Sequence, residues 1–190
     1  MTYRRNPLIA GQYYHIYNRG VNRQPIFFGE ANWIFFIRLI QKYFQPNQVE
    51  ILAYCLMPTH YHLLVYLLTD DFAKKVMQPF SVSFTKAINE QHERVGPLFQ
   101  GPFQTAWVGK STYLLQLSRY IHMNPVHANL VLHPADWSYS SYRDYIGLRQ
   151  GTIPHKKMVM SYFSTPADYQ AFVETSDQPD TKDIDHLLLD

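Results

Sequence analysis

Apolar and polar positions along the chain change period several times, and each change marks an element. GQYYHIYNRGVNRQPIFF opens with alternating β-prone residues and breaks at Asn18, Arg19 and Gly20, which predicts a strand, a turn and a short extended piece. In GEANWIFFIRLIQKYFQPN the spacing of Trp33, Phe36, Ile37, Ile40 and Phe44 is helical, and Pro46 with Asn47 supplies the stop. VEILAYCLMPTHYHLLVYLL is two strand-like runs hinged near Met57, Pro58 and Thr59, an antiparallel hairpin by expectation. DDFAKKVMQPFSVSFTKAINEQHERVG begins with two acids suited to a helix N-terminus and carries Pro79 inside, so it predicts one kinked helix or two in succession, ending at Gly96. PLFQGPFQTAWVG is a third extended region, broken by Gly101 and Pro102. KSTYLLQLSRYIHMNP gives a strong helix with a stripe of Tyr113, Leu114, Leu117, Tyr120 and Ile121, terminated by Pro125.

The order β, α, β, β, α, β, α matches a ferredoxin-like α+β sandwich, an antiparallel sheet with helices packed on one face. There is no internal repeat. Residues 1–150 then form one catalytic or binding unit. Residues 151–190 follow as a C-terminal appendage with a small helix in STPADYQAFVETSD and an acidic, flexible end in QPDTKDIDHLLLD.

Composition narrows the setting. A chain of 190 residues that is 46% hydrophobic and 16% aromatic is a folded one. Its single cysteine, Cys55, excludes an intramolecular disulfide and a cysteine-rich zinc cage, which fits a reduced, cytoplasmic location. The apolar runs fall short of the roughly 20 residues that a membrane-spanning helix needs. The net charge of +2 is unevenly spread: residues 1–160 hold 16 Lys and Arg against 8 Asp and Glu, and residues 161–190 hold 1 against 7. A basic body suits a polyanionic partner, and the acidic end could shield a basic cleft as a mimic of that partner.

Candidate chemistry begins in CLMPTHYHLLVYLL. Side chains alternate along a strand, so His60 and His62 point to one face and Tyr61 to the other; two imidazoles about 7 Å apart can converge on one ion. Two ligands alone rarely hold a divalent metal, and a pair of half-exposed histidines is the ordinary alternative. The helix before Pro125 places Tyr120 and Asn124 four residues apart on one face, which would bring a phenol and an amide oxygen together. Taken singly, Tyr120 also fits a tyrosine at the core edge, and Asn124 a helix cap.

As a set, these residues resemble the HUH-type single-tyrosine transposases, most closely the REP-associated tyrosine transposases. The matching stretches are YHIYNRGVNRQPIFF, YCLMPTHYHLLV, GPLFQGPFQ, and RYIHMNPVHANLV followed by WSYSSYRDY, in that order across residues 14 to 145. The resemblance implies a divalent metal, Mg²⁺ or Mn²⁺, on His60 and His62 with Asn124 as third ligand. It implies Tyr120 as the nucleophile that attacks single-stranded or hairpin DNA of repeated extragenic palindromes and forms a 5′-phosphotyrosine. A domesticated, non-catalytic hairpin-binding protein and a metal-dependent hydrolytic nuclease are the competing readings. A monomer with its site completed in cis is favoured over a homodimer, and no membrane partner is expected.

Asn18, Arg19, Gly20 and Arg23 form the expected DNA-contacting loop, a turn glycine among polar and basic residues. Arg4, Arg5 and Arg119 are further candidates for phosphate contacts. Phe99, Gln100 and Phe103 suit base stacking or core packing alike. His122 and His127 are expected to be solvated at the helix end.

Overall fold

The computed structural model of the protein describes residues 7–109 and 111–175. Arg4, Arg5 and the acidic stretch beyond Thr175 lie outside them. Four strands, β1 (Tyr13–Arg19), β2 (Val49–Met57), β3 (His60–Leu67) and β4 (Gln104–Trp107), make one antiparallel sheet in the order β2-β3-β1-β4. The helices are α1 (Glu30–Tyr43), α2 (Gln78–Gln91), α3 (Ser111–His127), α4 (Tyr142–Tyr145), α5 (Lys157–Met160) and α6 (Pro166–Glu174). The β-α-β-β-α-β-α order and the antiparallel α+β sandwich agree with the hydrophobic pattern.

Layering departs from it. One face of the sheet, with Ile16, Tyr61, Leu63 and Val65, packs on Phe36 and Ile40 of α1 and on Phe80 and Phe84 of α2. The other face, with Leu52, Cys55, Met57 and Leu64, packs on Leu114, Leu117 and Ile121 of α3 and on Tyr145, Val159, Tyr169 and Val173 of α4 to α6. Helices therefore cover both faces. The cue was the near-continuous apolar character of β2 and β3, which a strand exposed on one side would not have. Each large apolar side chain buried this way contributes roughly 1.5–3 kcal/mol. A bulge between Ile51 and Ala53 lets the adjacent Leu52 and Ala53 both enter the α3-side core before strict alternation resumes.

Two prolines sit differently from each other. Pro79 lies in the first turn of α2, where a missing N–H costs little, after a single π-helical turn over Ala73–Met77. Pro125 does not end α3, which continues to His127; the helix closes at Asn129, whose φ of 54° is left-handed, with the Leu130 N–H donating to the Pro125 carbonyl at 2.9 Å. The outer edge of β2 is covered by residues 139–141: Leu56 N–H donates to Tyr139 O and Ser141 N–H to Tyr54 O, both at 2.9 Å.

The loop after β1 is tied to the β2–β3 turn. Gly20 N–H donates to Thr59 O at 2.8 Å and Ile26 N–H to Pro58 O at 2.9 Å. A Cβ on Gly20 would sit 2.0 Å from the Gln24 carbonyl oxygen, so the turn closes on a residue without a side chain. This tie fixes Arg19 and Arg23 beside the turn from which His60 emerges.

Candidate active site

His60 and His62 open β3 and, by the period of two, face α3, while Tyr61 is buried on the opposite face against Phe36 and Phe99. Their ring centroids are 4.9 Å apart and nearly perpendicular, at 86°. Each imidazole is held at Nδ1: His60 by the Thr59 hydroxyl oxygen at 2.9 Å, and His62 by Nε2 of His15 at 2.9 Å. Nε2 of His62 is buried and makes no hydrogen bond of normal geometry, although the Asn124 amide lies beside the ring. Burial drives both imidazoles towards the neutral form, with His60 down at about 4 and His62 well below the ordinary value, and the Asn124 amide beside both opposes that shift. Neutral imidazoles are the form that binds a cation.

Tyr120 and Asn124 arrive from α3. The Tyr120 ring, half-buried, stands edge-on to His62 at 5.6 Å and to His15 at 6.5 Å. Asn124 donates its Nδ2 to the Tyr120 carbonyl at 2.9 Å, which turns Oδ1 towards the imidazoles. The helix that supplies the phenol thus also supplies the amide, one turn apart as i and i+4. His60, Tyr120 and Asn124, together with Arg19, Arg23, Thr59 and His127, line an open cleft of about 310 Å³, while His62 is buried and outside its lining.

The donor set can be tested against a metal. Among the described residues no three or more His, Cys, Asp or Glu come together as a metal-binding group, so an ion here would rest on two imidazoles and the Asn124 amide oxygen. The buried Nε2 of His62, which makes no hydrogen bond of normal geometry, is the acceptor such an ion would complete. A mixed nitrogen and oxygen set without thiolate suits Mn²⁺ or Mg²⁺ with further oxygen ligands better than a closed structural zinc site.

The other expected site residues divide. Arg19 is at the cleft and donates Nε to Gln100 Oε1 at 2.7 Å, and Arg23 is exposed at the cleft mouth with φ of 56°. Gly20 is buried in the turn itself. Asn18 departs from expectation: it alternates with Ile16 onto the α1–α2 face, is buried, donates Nδ2 to Gly101 O at 3.0 Å and accepts from Arg19 N–H at 2.9 Å. It ties the loop in place and does not reach the cleft. Arg119 departs as well. Its guanidinium is turned to the C-terminal end of α6, with Nε donating to Phe172 O at 3.1 Å and Val173 O at 3.0 Å, and Nη2 to Thr175 O at 2.8 Å. Orphan carbonyls and the negative end of the helix dipole hold it there.

Phe99 is buried in the α1–α2 core and Phe103 packs against it, whereas Gln100 is exposed and engages Arg19. His122 is not solvated. It is fully buried, with Nδ1 2.7 Å from Tyr169 Oη and Nε2 2.8 Å from Ser141 Oγ, because its position on α3 faces the α4–α6 layer. His127 is exposed at the cleft. His15 was not anticipated; the available signal was its place two residues before Tyr17 and four before Arg19, on the inward period of β1.

No helix among the described residues is long and apolar enough to cross a membrane. The family model described as "Transposase IS200 like" matches residues 9–124, more than half of the chain. A solved structure of a REP-associated tyrosine transposase bound to a REP hairpin is similar at 18% identity and a TM-score of 0.57, over 77% of this chain and 86% of the other. A transposase-assigned protein from Deinococcus radiodurans R1 is similar at 20% identity and a TM-score of 0.41, over 64% of this chain and 95% of the other. No curated protein matches.

Proposed function

The chain belongs to the IS200-like transposase family, and on that premise we propose that it nicks and rejoins single-stranded DNA through Tyr120, with a divalent metal on His60, His62 and Asn124. The observation that carries the reading is the buried His62, whose Nε2 makes no hydrogen bond of normal geometry, 5.6 Å between ring centroids from Tyr120, which with His60 and Asn124 lines a cleft that Arg19 and Arg23 border.

Tyr120 Oη attacks the scissile phosphorus. The P–O3′ bond breaks, a 3′-hydroxyl leaves, and the 5′-phosphate stays on the tyrosine. The phenol loses one proton and the departing oxygen gains one. The phosphodiester bond energy is kept in the adduct, so a 3′-hydroxyl from another strand can reverse the step without a nucleotide cofactor. A bound Mg²⁺ or Mn²⁺ would supply Lewis-acid polarisation of the phosphate oxygens. Arg19 and Arg23 border the cleft where the phosphate backbone would lie, and Gly20 gives the loop the turn that sets them there. Helix α3, which carries Tyr120, packs on the sheet that carries His60 and His62, an arrangement in which the site is completed in cis, and a monomer is proposed as the acting unit.

The substrate proposed is a strand that leaves or flanks a hairpin of a repeated palindrome. Unpaired DNA is favoured because the phenol needs a backbone free to bend into the cleft, which a stacked duplex resists. The similar structure that holds a REP hairpin supports this class of substrate.

The test is a denaturing-gel assay for a protein–DNA adduct, with 5′-extended hairpin oligonucleotides and Mg²⁺, Mn²⁺ or EDTA. A metal-dependent adduct in the wild type that is lost in Tyr120→Phe is expected. Cutting without an adduct that survives in Tyr120→Phe would reassign the protein as a hydrolytic nuclease. Binding to a hairpin that is never cut would make it a binding module.

A further inference from the structure

His15 has no part in the proposed chemistry, yet it is fully buried in β1 on the sheet face that carries His62, its ring 6.5 Å from that of Tyr120. The β1–β3 register sets Tyr17 opposite His62 and His15 opposite Leu64, so His15 lies diagonal to His62 on the same face. The two rings are stacked, 5.1 Å between centroids and 20° between planes, and His15 Nε2 is 2.9 Å from His62 Nδ1.

Two neutral imidazoles that share a hydrogen bond have one proton between them, carried by one nitrogen or the other. With the proton on His15 Nε2, the proton of His62 would sit on its Nε2, a buried donor that makes no hydrogen bond of normal geometry even with the Asn124 amide beside it, the rarer defect in folded proteins. With the proton on His62 Nδ1, His62 Nε2 keeps its lone pair and His15 accepts. The bond at His60 imposes no such choice, because the Thr59 hydroxyl can rotate to donate or to accept.

We propose that His15 is the positioning residue of the site: it accepts from His62 Nδ1, fixes His62 as the Nδ1–H tautomer and aims its Nε2 lone pair at the metal position. The inference deepens the metal reading above and rests on it. His15 itself touches neither metal nor DNA. Its effect is to select a tautomer and, by stacking, to stop the His62 ring from turning away.

The test separates the two claims. In metal-free protein labelled with ¹⁵N-histidine, two-bond ¹H–¹⁵N correlations report the His62 tautomer. Nδ1–H is expected in the wild type and in His15→Gln, whose amide oxygen can accept the same bond, with a mixture or Nε2–H in His15→Phe. Mn²⁺ affinity, followed by the loss of the free-ion electron paramagnetic resonance signal, is expected to fall about 10- to 100-fold in His15→Phe and to recover in His15→Gln. An Nε2–H tautomer in the wild type, or wild-type Mn²⁺ affinity in His15→Phe, overturns the proposal. Wild-type protein with the Nδ1–H tautomer that binds no Mn²⁺ would sink the metal reading while upholding the control of His62 by His15.

Discussion

The Asn124 amide donates to the backbone carbonyl of Tyr120 at 2.9 Å, so one turn of α3 presents both a phenol and a fixed amide oxygen to the imidazoles of β3. If that oxygen is the third ligand, Asn124→Ala lowers Mn²⁺ affinity by roughly tenfold or more, while Asn124→Asp, which keeps the oxygen and adds a charge, restores or exceeds it. Paramagnetic titration of the two variants checks this. Unchanged affinity in the alanine variant would remove Asn124 from the metal site.

An ion held, as proposed, by His60, His62 and Asn124 would have three neutral donors and two uncompensated charges, with Arg19 adding to the positive field on His60. The phosphate of the substrate is the missing anion. Metal and DNA are therefore expected to bind cooperatively, each strengthening the other by about 5- to 150-fold, and by the same factor in both directions. Mn²⁺ titrations with and without a hairpin oligonucleotide measure the coupling, and equal affinities would contradict it.

Arg119 and Arg19 predict opposite phenotypes. Arg119→Met removes three bonds to the end of α6 and is expected to cost about 1.5–3 kcal/mol in urea unfolding, with DNA affinity and its salt slope unchanged. Arg19→Ala is expected to weaken DNA binding and lower the salt slope by about one, with little effect on stability. A salt series of binding curves with paired denaturation midpoints distinguishes the two.

Gly20→Ala should be severe for so small a change. Its Cβ would meet a backbone carbonyl oxygen at 2.0 Å, which no side-chain rotation relieves. The turn must shift, and with it the tie to Thr59 beside His60. Stability is expected to fall by about 1–3 kcal/mol, and hairpin affinity to fall with it. A variant as stable and as tightly bound as the wild type would show that the turn has another way to close.

Stability should decline in mild acid. Burial lowers the His122 pKa from 6.5 to about 3 in the folded protein. The unfolded chain therefore takes up a proton below pH 6.5 that the folded chain refuses until about 3, and stability drains across that window as pH falls, by up to about 1.4 kcal/mol per pH unit. His60 and His62, also lowered by burial, act in the same sense. Urea unfolding at pH 7, 6 and 5 should show a shallower decline in His122→Gln than in wild type; parallel curves would exclude His122 as a source of the acid sensitivity.

Much of this was legible in the chain. Period-two and helical spacing gave the order of elements, and the pairing of His60 with His62 on one face follows from the pleat alone. The i, i+4 relation of Tyr120 and Asn124 is likewise a property of any helix. Reading failed where a residue's partner was distant in sequence. Arg119 was a candidate DNA contact because an arginine in a basic segment gives no sign of the carbonyls that await it more than fifty residues later. His122 shares that difficulty, as its partners Ser141 and Tyr169 lie 19 and 47 residues further along the chain. Asn18 and Arg19 are neighbours in a polar turn, yet alternation sends one into the core side and the other to the cleft.

Sequence by itself therefore determined the local geometry: which residues alternate, which share a helix face, and which stretches are apolar enough to be buried on both sides. Only the tertiary structure decided the diagonal placement of His15 on His62, the docking of α4 to α6 behind α3, and the capture of Arg119 by a helix end. The physical reason is that periodicity fixes direction within an element, whereas hydrogen-bond partners across elements depend on register and packing, which no local pattern encodes.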